Sequence, residues 1–233
     1  MCIEFVVKRK SEGTLFSLLI GDNAFYNPIK NHLIVNPTLF EDPYFDSRFP
    51  LSLNYGSLGF AIGHELVHAL DYVNINVDSK GNKNSHMTST KSKEKIDKKV
   101  SCFLEQRGYK NEKNNFHLNT TEMAILNEDI ADNGGIKLAY KAYKKHMKKK
   151  KEDKITIPGY KALTGDQLFF LSFGRFICKN EDKRNRRLIS TDDERKLDIE
   201  KIQMVLGSYG PFAKAFSCKK KNKMINKKKC ELW

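Results

Sequence analysis

The sequence predicts a mainly helical α+β domain with a small edge sheet. Three features carry that expectation. Apolar residues recur near a period of 3.6 over residues 57–73, a long helical run covers residues 122–149, and one short β-branched run stands at Leu33-Ile34-Val35.

In chain order, residues 1–22 show no clear pattern. Residues 23–37 contain the edge strand, after a turn at Asn27-Pro28, and residues 40–55 read as a loop rich in proline and aromatics. The helix over 57–73 sets Leu58, Ile62, Leu66, Ala69 and Leu70 on one face. A polar loop over 78–93 precedes a charged amphipathic helix over 94–107. The long helix over 122–149 holds Gly134-Gly135 as points of close packing. Residues 165–178 form a further helix presenting Leu168, Phe169, Leu171, Phe173 and Phe176. Short helices over 200–206 and 210–216 complete the chain, which has no internal repeat.

A chain of 233 residues can bury a substantial core. Its net charge of +14 collects in lysine-rich runs at 144–151, 183–187, 219–223 and 227–229. Such runs are usually solvated faces. They come without interleaved aromatics or a nucleic-acid motif, so nucleic acid is not an expected partner. The longest early apolar patch, residues 15–20, is far below the roughly 20 residues that a spanning helix needs. Lys8, Arg9 and Lys10 precede it in signal-peptide order, but the patch is too short and no small-residue cleavage site follows. The five cysteines (Cys2, Cys102, Cys178, Cys218, Cys230) form no C-x-x-C pair, which argues against a cysteine zinc site. Their odd number leaves a free thiol or a partner elsewhere. One glycosylation sequon, Asn119-Thr120-Thr121, matters only if the chain is secreted.

The sharpest chemical signal is His64-Glu65-Leu66-Val67-His68. Helical positions four apart share a face, so two imidazoles can bind one zinc ion while the intervening glutamate reaches a metal-bound water. Two histidines in an ordinary helix can produce the same pattern. A catalytic zinc ion usually takes three protein ligands and keeps one position open. Glu128 could supply the third, with Asp132 four residues on accepting a hydrogen bond from a ligand imidazole. The competing reading of Glu128 and Asp132 is an acidic helix start favoured by the helix dipole.

These residues resemble the catalytic part of the neprilysin and endothelin-converting-enzyme family of zinc metallopeptidases. The matching segments are Asn23-Ala24-Phe25-Tyr26, Asn54-Tyr55-Gly56, Gly63 through His68, Glu128 through Gly135, Ala139-Tyr140, Pro158-Gly159, Gln167 through Leu171, and Cys230-Glu231-Leu232-Trp233. They fall in the family's order and span nearly everything from Asn23 to Trp233, which divides the chain into a non-matching segment, 1–22, and a catalytic domain, 23–233. The resemblance implies a thermolysin-like zinc domain. It makes His64, His68 and Glu128 the ligands of one zinc ion, Glu65 the general base, and Asp132 the carboxylate that orients His64. Asn23 and Ala24 would hold the substrate backbone on the edge strand, as in β-augmentation; by itself Asn23 reads as a turn residue. Cys102 would pair with Cys230, and Cys178 and Cys218 would pair with cysteines of an N-terminal lobe.

Two departures bear on turnover rather than on metal binding. The family carries a His that stabilises the tetrahedral intermediate and, six residues later, an Arg that holds the substrate. Ungapped counting puts Arg195 and Lys201 there. Arg195 keeps a positive donor able to face an oxyanion. Lys201 keeps the charge without the planar fork and is expected to bind substrate. Loss of an oxyanion donor typically costs roughly 100- to 1000-fold in turnover. The competing reading of both is a charged loop. Ile177 replaces a large aromatic of the family's side-chain pocket. The family's long N-terminal lobe is missing from this chain.

The expected function is zinc-dependent endopeptidase action on short peptides. By resemblance the location is extracellular or a membrane-anchored ectodomain, although this chain shows neither signal peptide nor transmembrane segment. Two other readings compete. A catalytically impaired pseudopeptidase or truncated fragment would bind zinc and peptide without turnover. A basic, non-enzymatic binding module would show steep salt dependence and indifference to Glu65 substitution.

Overall fold

The structure is a computed structural model that describes residues 23–109, 118–148, 163–177 and 198–233. Cys2, Pro158-Gly159, Cys178 and Arg195 lie outside the described residues.

An antiparallel hairpin opens the described fold, with β1 at Ala24–Asn27 and β2 at His32–Val35. Phe25 stands opposite Ile34 and Tyr26 opposite Leu33. Asn31 takes a left-handed conformation (φ 50°) in the turn, which asparagine tolerates better than most residues. The expected edge strand is therefore present, as half of a two-stranded sheet.

The expected loop over 40–55 ends early. Pro50 is extended, and helix α1 (Leu51–Gly56) follows it. This short helix is held by packing, not by its own length. A Cβ at Gly56 would run into the carbonyl oxygen of Phe169, and Ser172 Oγ donates to the Leu53 carbonyl at 2.7 Å.

Helix α2 spans Leu58–His68 and stops five residues short of the expected end. The cause is Asp71. Its carboxylate accepts the N–H groups of Val73 and Asn74 at 3.0 and 2.8 Å, turning the chain off the helix. Leu70, expected on the apolar face, is consequently half exposed.

Helix α3 (Thr90–Gln106) starts four residues earlier than expected because Ser89 caps it, accepting from the Ser92 N–H. Helix α4 (Thr120–Met147) starts at a capping box between Asn119 and Glu122. Helix α5 covers Gly165–Ile177, α6 Asp198–Ser208 and α7 Gly210–Ala215. In α5, Leu168, Phe169 and Phe173 are buried as expected, whereas Leu171 is 48% exposed and Phe170 takes the inward place.

Helix α4 runs between two apolar clusters. On one side Ile136 and Ala139 pack with Phe60, Phe169, Phe170 and Phe173; on the other, Leu126 and Ile130 pack with Phe103, Leu104 and Leu232. The C-terminal tail belongs to the second cluster. A Cys102–Cys230 disulfide joins it to α3, Asn133 Nδ2 donates to the Cys230 carbonyl at 3.2 Å, and Lys99 Nζ donates to that of Leu232 at 2.7 Å. The pairing implied by the resemblance is thus present. Among the described residues, Cys218 is a free thiol.

Glycine lets α2 and α4 approach closely. A Cβ on Gly135 would sit 2.7 Å from the His64 nitrogen, and one on Gly134 would sit 2.8 Å from both Val67 methyls. That approach brings the carboxylates of α4 within reach of the imidazoles of α2.

Candidate metal centre

His64, Glu65 and His68 come from α2, and Glu128 and Asp132 from α4. The two Nε2 atoms of His64 and His68 face each other at 3.1 Å. Glu128 puts Oε2 3.5 Å from the first and Oε1 3.5 Å from the second. Among the described residues, these three are the group whose donor atoms lie close enough together to hold a metal ion.

The second nitrogen of each ring explains the convergence. His64 Nδ1 lies 2.8 Å from Asp132 Oδ1, and His68 Nδ1 lies 2.9 Å from Asp71 Oδ2. A carboxylate only accepts, so each Nδ1–H donates, and each Nε2 turns toward the shared point, where it can offer a lone pair once its own proton leaves. Tetrahedral bonds of about 2.0–2.1 Å separate neighbouring ligand atoms by about 3.3 Å. The observed spacings bracket that value, so the donor set fits zinc.

Charge is concentrated here. Burial alone pulls the His64 imidazole down, but hydrogen bonds to Asp132 and Glu128 outweigh it and hold the group at about 9. The same balance, with Asp71 and Glu128 as partners, holds His68 at about 10. Burial raises the Glu128 carboxyl, yet the two imidazoles outweigh it and keep it well below the usual carboxylate range. Glu65 goes the other way, its carboxyl raised chiefly by burial against the pull of both imidazoles.

Glu65 is fixed on one side only. Its Oε2 accepts the Tyr26 N–H of β1 at 2.9 Å, while Oε1 lies 3.9 Å from His64 Nε2. The same bond orients the strand. Tyr26 turns its N–H away from β2, so by alternation Ala24 also turns its backbone groups outward, on the side of the metal centre. Asn23 directly precedes β1, and its carbonyl accepts the Asn36 N–H at 3.2 Å.

Lys201, on α6, places Nζ 3.0 Å from Asp132 Oδ2. His64 and Lys201 therefore divide the two oxygens of one buried carboxylate. Arg107, at the end of α3, pairs with Asp129 beside Glu128, its Nη2 2.6 Å from Oδ1. Two participants escaped the sequence reading. Asp71 was legible in principle, three residues after His68. The Tyr26 N–H was not, because a backbone donor leaves no mark in side-chain identity.

Fold and site define a zinc-metallopeptidase type of domain. The solved zinc metalloprotease of Mycobacterium tuberculosis with bound inhibitor superimposes with a TM-score of 0.75 at 20% identity, over 91% of this chain and 32% of that one. The Haemonchus galactose-containing glycoprotein complex gives 0.76 at 27% identity, over 92% and 33%.

The profile of peptidase family M13 matches residues 23–232, and the chain belongs to that family. It is 34% identical to neprilysin-1 of Caenorhabditis elegans over 216 residues, which is 91% of this chain and 28% of that protein. It is 33% identical to endothelin-converting enzyme 1 of Bos taurus, again over 91% of this chain and 27% of the relative. The chain thus spans about a quarter of the length of these relatives. No helix among the described residues is long and apolar enough to cross a membrane.

Proposed function

We propose that residues 23–233 form the catalytic domain of a zinc-dependent metalloendopeptidase that cleaves short peptides, and that 1–22 lie outside it. The observation carrying this reading is the meeting of His64 Nε2, His68 Nε2 and the Glu128 carboxylate, with Glu65 held beside them by Tyr26. Zinc bound by His64, His68 and Glu128 would supply Lewis acidity toward a scissile carbonyl and lower the pKa of its water.

The chain's own residues do the rest. Glu65 takes a proton from the attacking water on Oε1 and delivers it to the leaving amine; its raised affinity for protons suits a group that must hold one between the two steps. Asp132 and Asp71 lock the tautomers of His64 and His68. Ala24 pairs with an extended substrate backbone, and Asn23 adds a side-chain contact at the same edge. Arg195, outside the described residues, would contribute a positive donor to the oxyanion. Lys201 supports the substrate end of the site from its post beside Asp132. The disulfide suits an oxidising compartment, and a secreted or membrane-anchored parent with a further lobe fits the lengths of the relatives.

A quenched-fluorescent peptide library with zinc-loaded protein tests the reading. Cleavage that a chelator abolishes supports it. Zinc bound without cleavage supports the second reading, a pseudopeptidase, which the replacement of the family's Arg by Lys201 favours. Salt-sensitive binding that ignores Glu65 substitution would replace both with a basic binding module.

A further inference from the structure

We infer that Asn119 is an N-glycosylation site at the exposed N-terminal end of α4. The sequence holds two Asn-x-Thr triplets, Asn36-Pro37-Thr38 and Asn119-Thr120-Thr121. The structure separates them. Asn36 is fully buried and is followed by proline, which disqualifies it as an acceptor. Asn119 is exposed, extended (φ −74°, ψ 175°), and immediately precedes the helix.

Its side chain is used on one atom only. Oδ1 accepts the Glu122 N–H at 2.9 Å, and the Glu122 carboxylate answers by accepting the Asn119 N–H at 2.8 Å. Both bonds of the capping box leave Nδ2 out, so a sugar on that nitrogen keeps the cap intact. Glu128 lies nine residues on, about 13 Å along the axis and half a turn out of phase at about 100° per residue. The glycan therefore projects away from the metal centre. The Cys102–Cys230 disulfide suits folding in an oxidising compartment, where such transfer occurs.

In the step itself, Asn119 Nδ2 attacks the anomeric carbon of a polyprenyl-pyrophosphate-linked oligosaccharide. The N–C bond forms, the C–O bond to the pyrophosphate breaks, Nδ2 gives up one proton, and polyprenyl pyrophosphate leaves.

The test expresses the full chain behind a secretory leader in a eukaryotic cell and reads total cell extract, so that retained protein is also counted. Three variants accompany it: Asn119→Asp, which keeps a good cap, Thr121→Ser, which keeps the sequon, and Thr121→Val, which destroys the sequon without touching Asn119. The expected result is one discrete mass increment on the parent and on Thr121→Ser, removed by peptide N-glycosidase and absent from the other two. An unmodified parent, or an increment that persists in Asn119→Asp, overturns the inference.

Discussion

Gly135 of α4 lies against the backbone of His64 on α2, so closely that a Cβ there would stand 2.7 Å from the His64 nitrogen. The two helices that carry the candidate metal ligands are thus spaced by the absence of a side chain. Gly135→Ala is expected to push them apart at a cost of about 1–3 kcal/mol. Because Glu128 rides on the displaced helix, zinc affinity should fall along with the melting temperature. A calorimetric scan and a zinc titration on the variant check this; unchanged affinity would mean that the helix spacing does not set the ligand geometry.

Asp71 and Asp132 hold the two imidazoles in matching ways. Replacing either by asparagine should weaken zinc binding about 10- to 100-fold. Chelator competition measures the loss. Asp71→Asn should also loosen the turn after α2, because Asp71 accepts from the Val73 and Asn74 backbones as well. Hydrogen exchange at those two amides would rise in Asp71→Asn and not in Asp132→Asn.

Lys201 shares Asp132 with His64, so it is expected to influence the metal through that carboxylate. Lys201→Met leaves a buried carboxylate with one partner fewer, which should weaken zinc binding and lower thermal stability. Lys201→Arg should restore both. If Lys201 instead acted only on substrate, KM would rise in Lys201→Met while zinc affinity stayed put.

The metal centre should show a strong pH dependence of defined sign. His64 and His68 retain protons up to about 9 and about 10. Near neutrality those protons must leave when zinc arrives. Affinity should therefore climb as pH rises toward that range and drop as pH falls, with up to about two protons released per zinc ion. Calorimetry in buffers of different ionisation enthalpy counts the protons. No release at neutral pH would contradict the charge balance described for the site.

The Cys102–Cys230 bond closes a loop with a sequence separation of 128 residues. On the chain-entropy account such a closure contributes about 5 kcal/mol to stability. A reductant should lower the melting temperature markedly, and peptide mapping without reduction should recover the Cys102 and Cys230 peptides joined.

Much of the site was legible because its chemistry demands particular side chains at helical spacing. His64, Glu65 and His68 announce themselves, and Glu128 with Asp132 repeats the spacing on a second helix. The cysteine pairing, in contrast, followed from family resemblance and not from spacing. What stayed hidden depends on contacts remote in sequence. Tyr26 steadies Glu65 through a backbone N–H. Lys201 was read as a substrate contact, and its place on α6 beside Asp132 was not legible in the sequence. The early end of α2 was missed because apolar periodicity continues through Leu70, while Asp71 outweighs it by capturing two backbone donors. The loop ahead of Pro50 hid α1, whose six residues owe their helix to packing on α5 and not to a periodic pattern of their own.

The most direct test of the central claim is peptide cleavage by Glu65→Gln at measured zinc occupancy. On the proposed reading Glu65 acts in the chemistry and not as a ligand, so the variant is expected to bind zinc as the parent does and to lose cleavage by at least about 100-fold, the usual scale for a general base. Cleavage that survives at full zinc occupancy would contradict the role of Glu65, and loss of zinc along with activity would contradict the division between ligands and base.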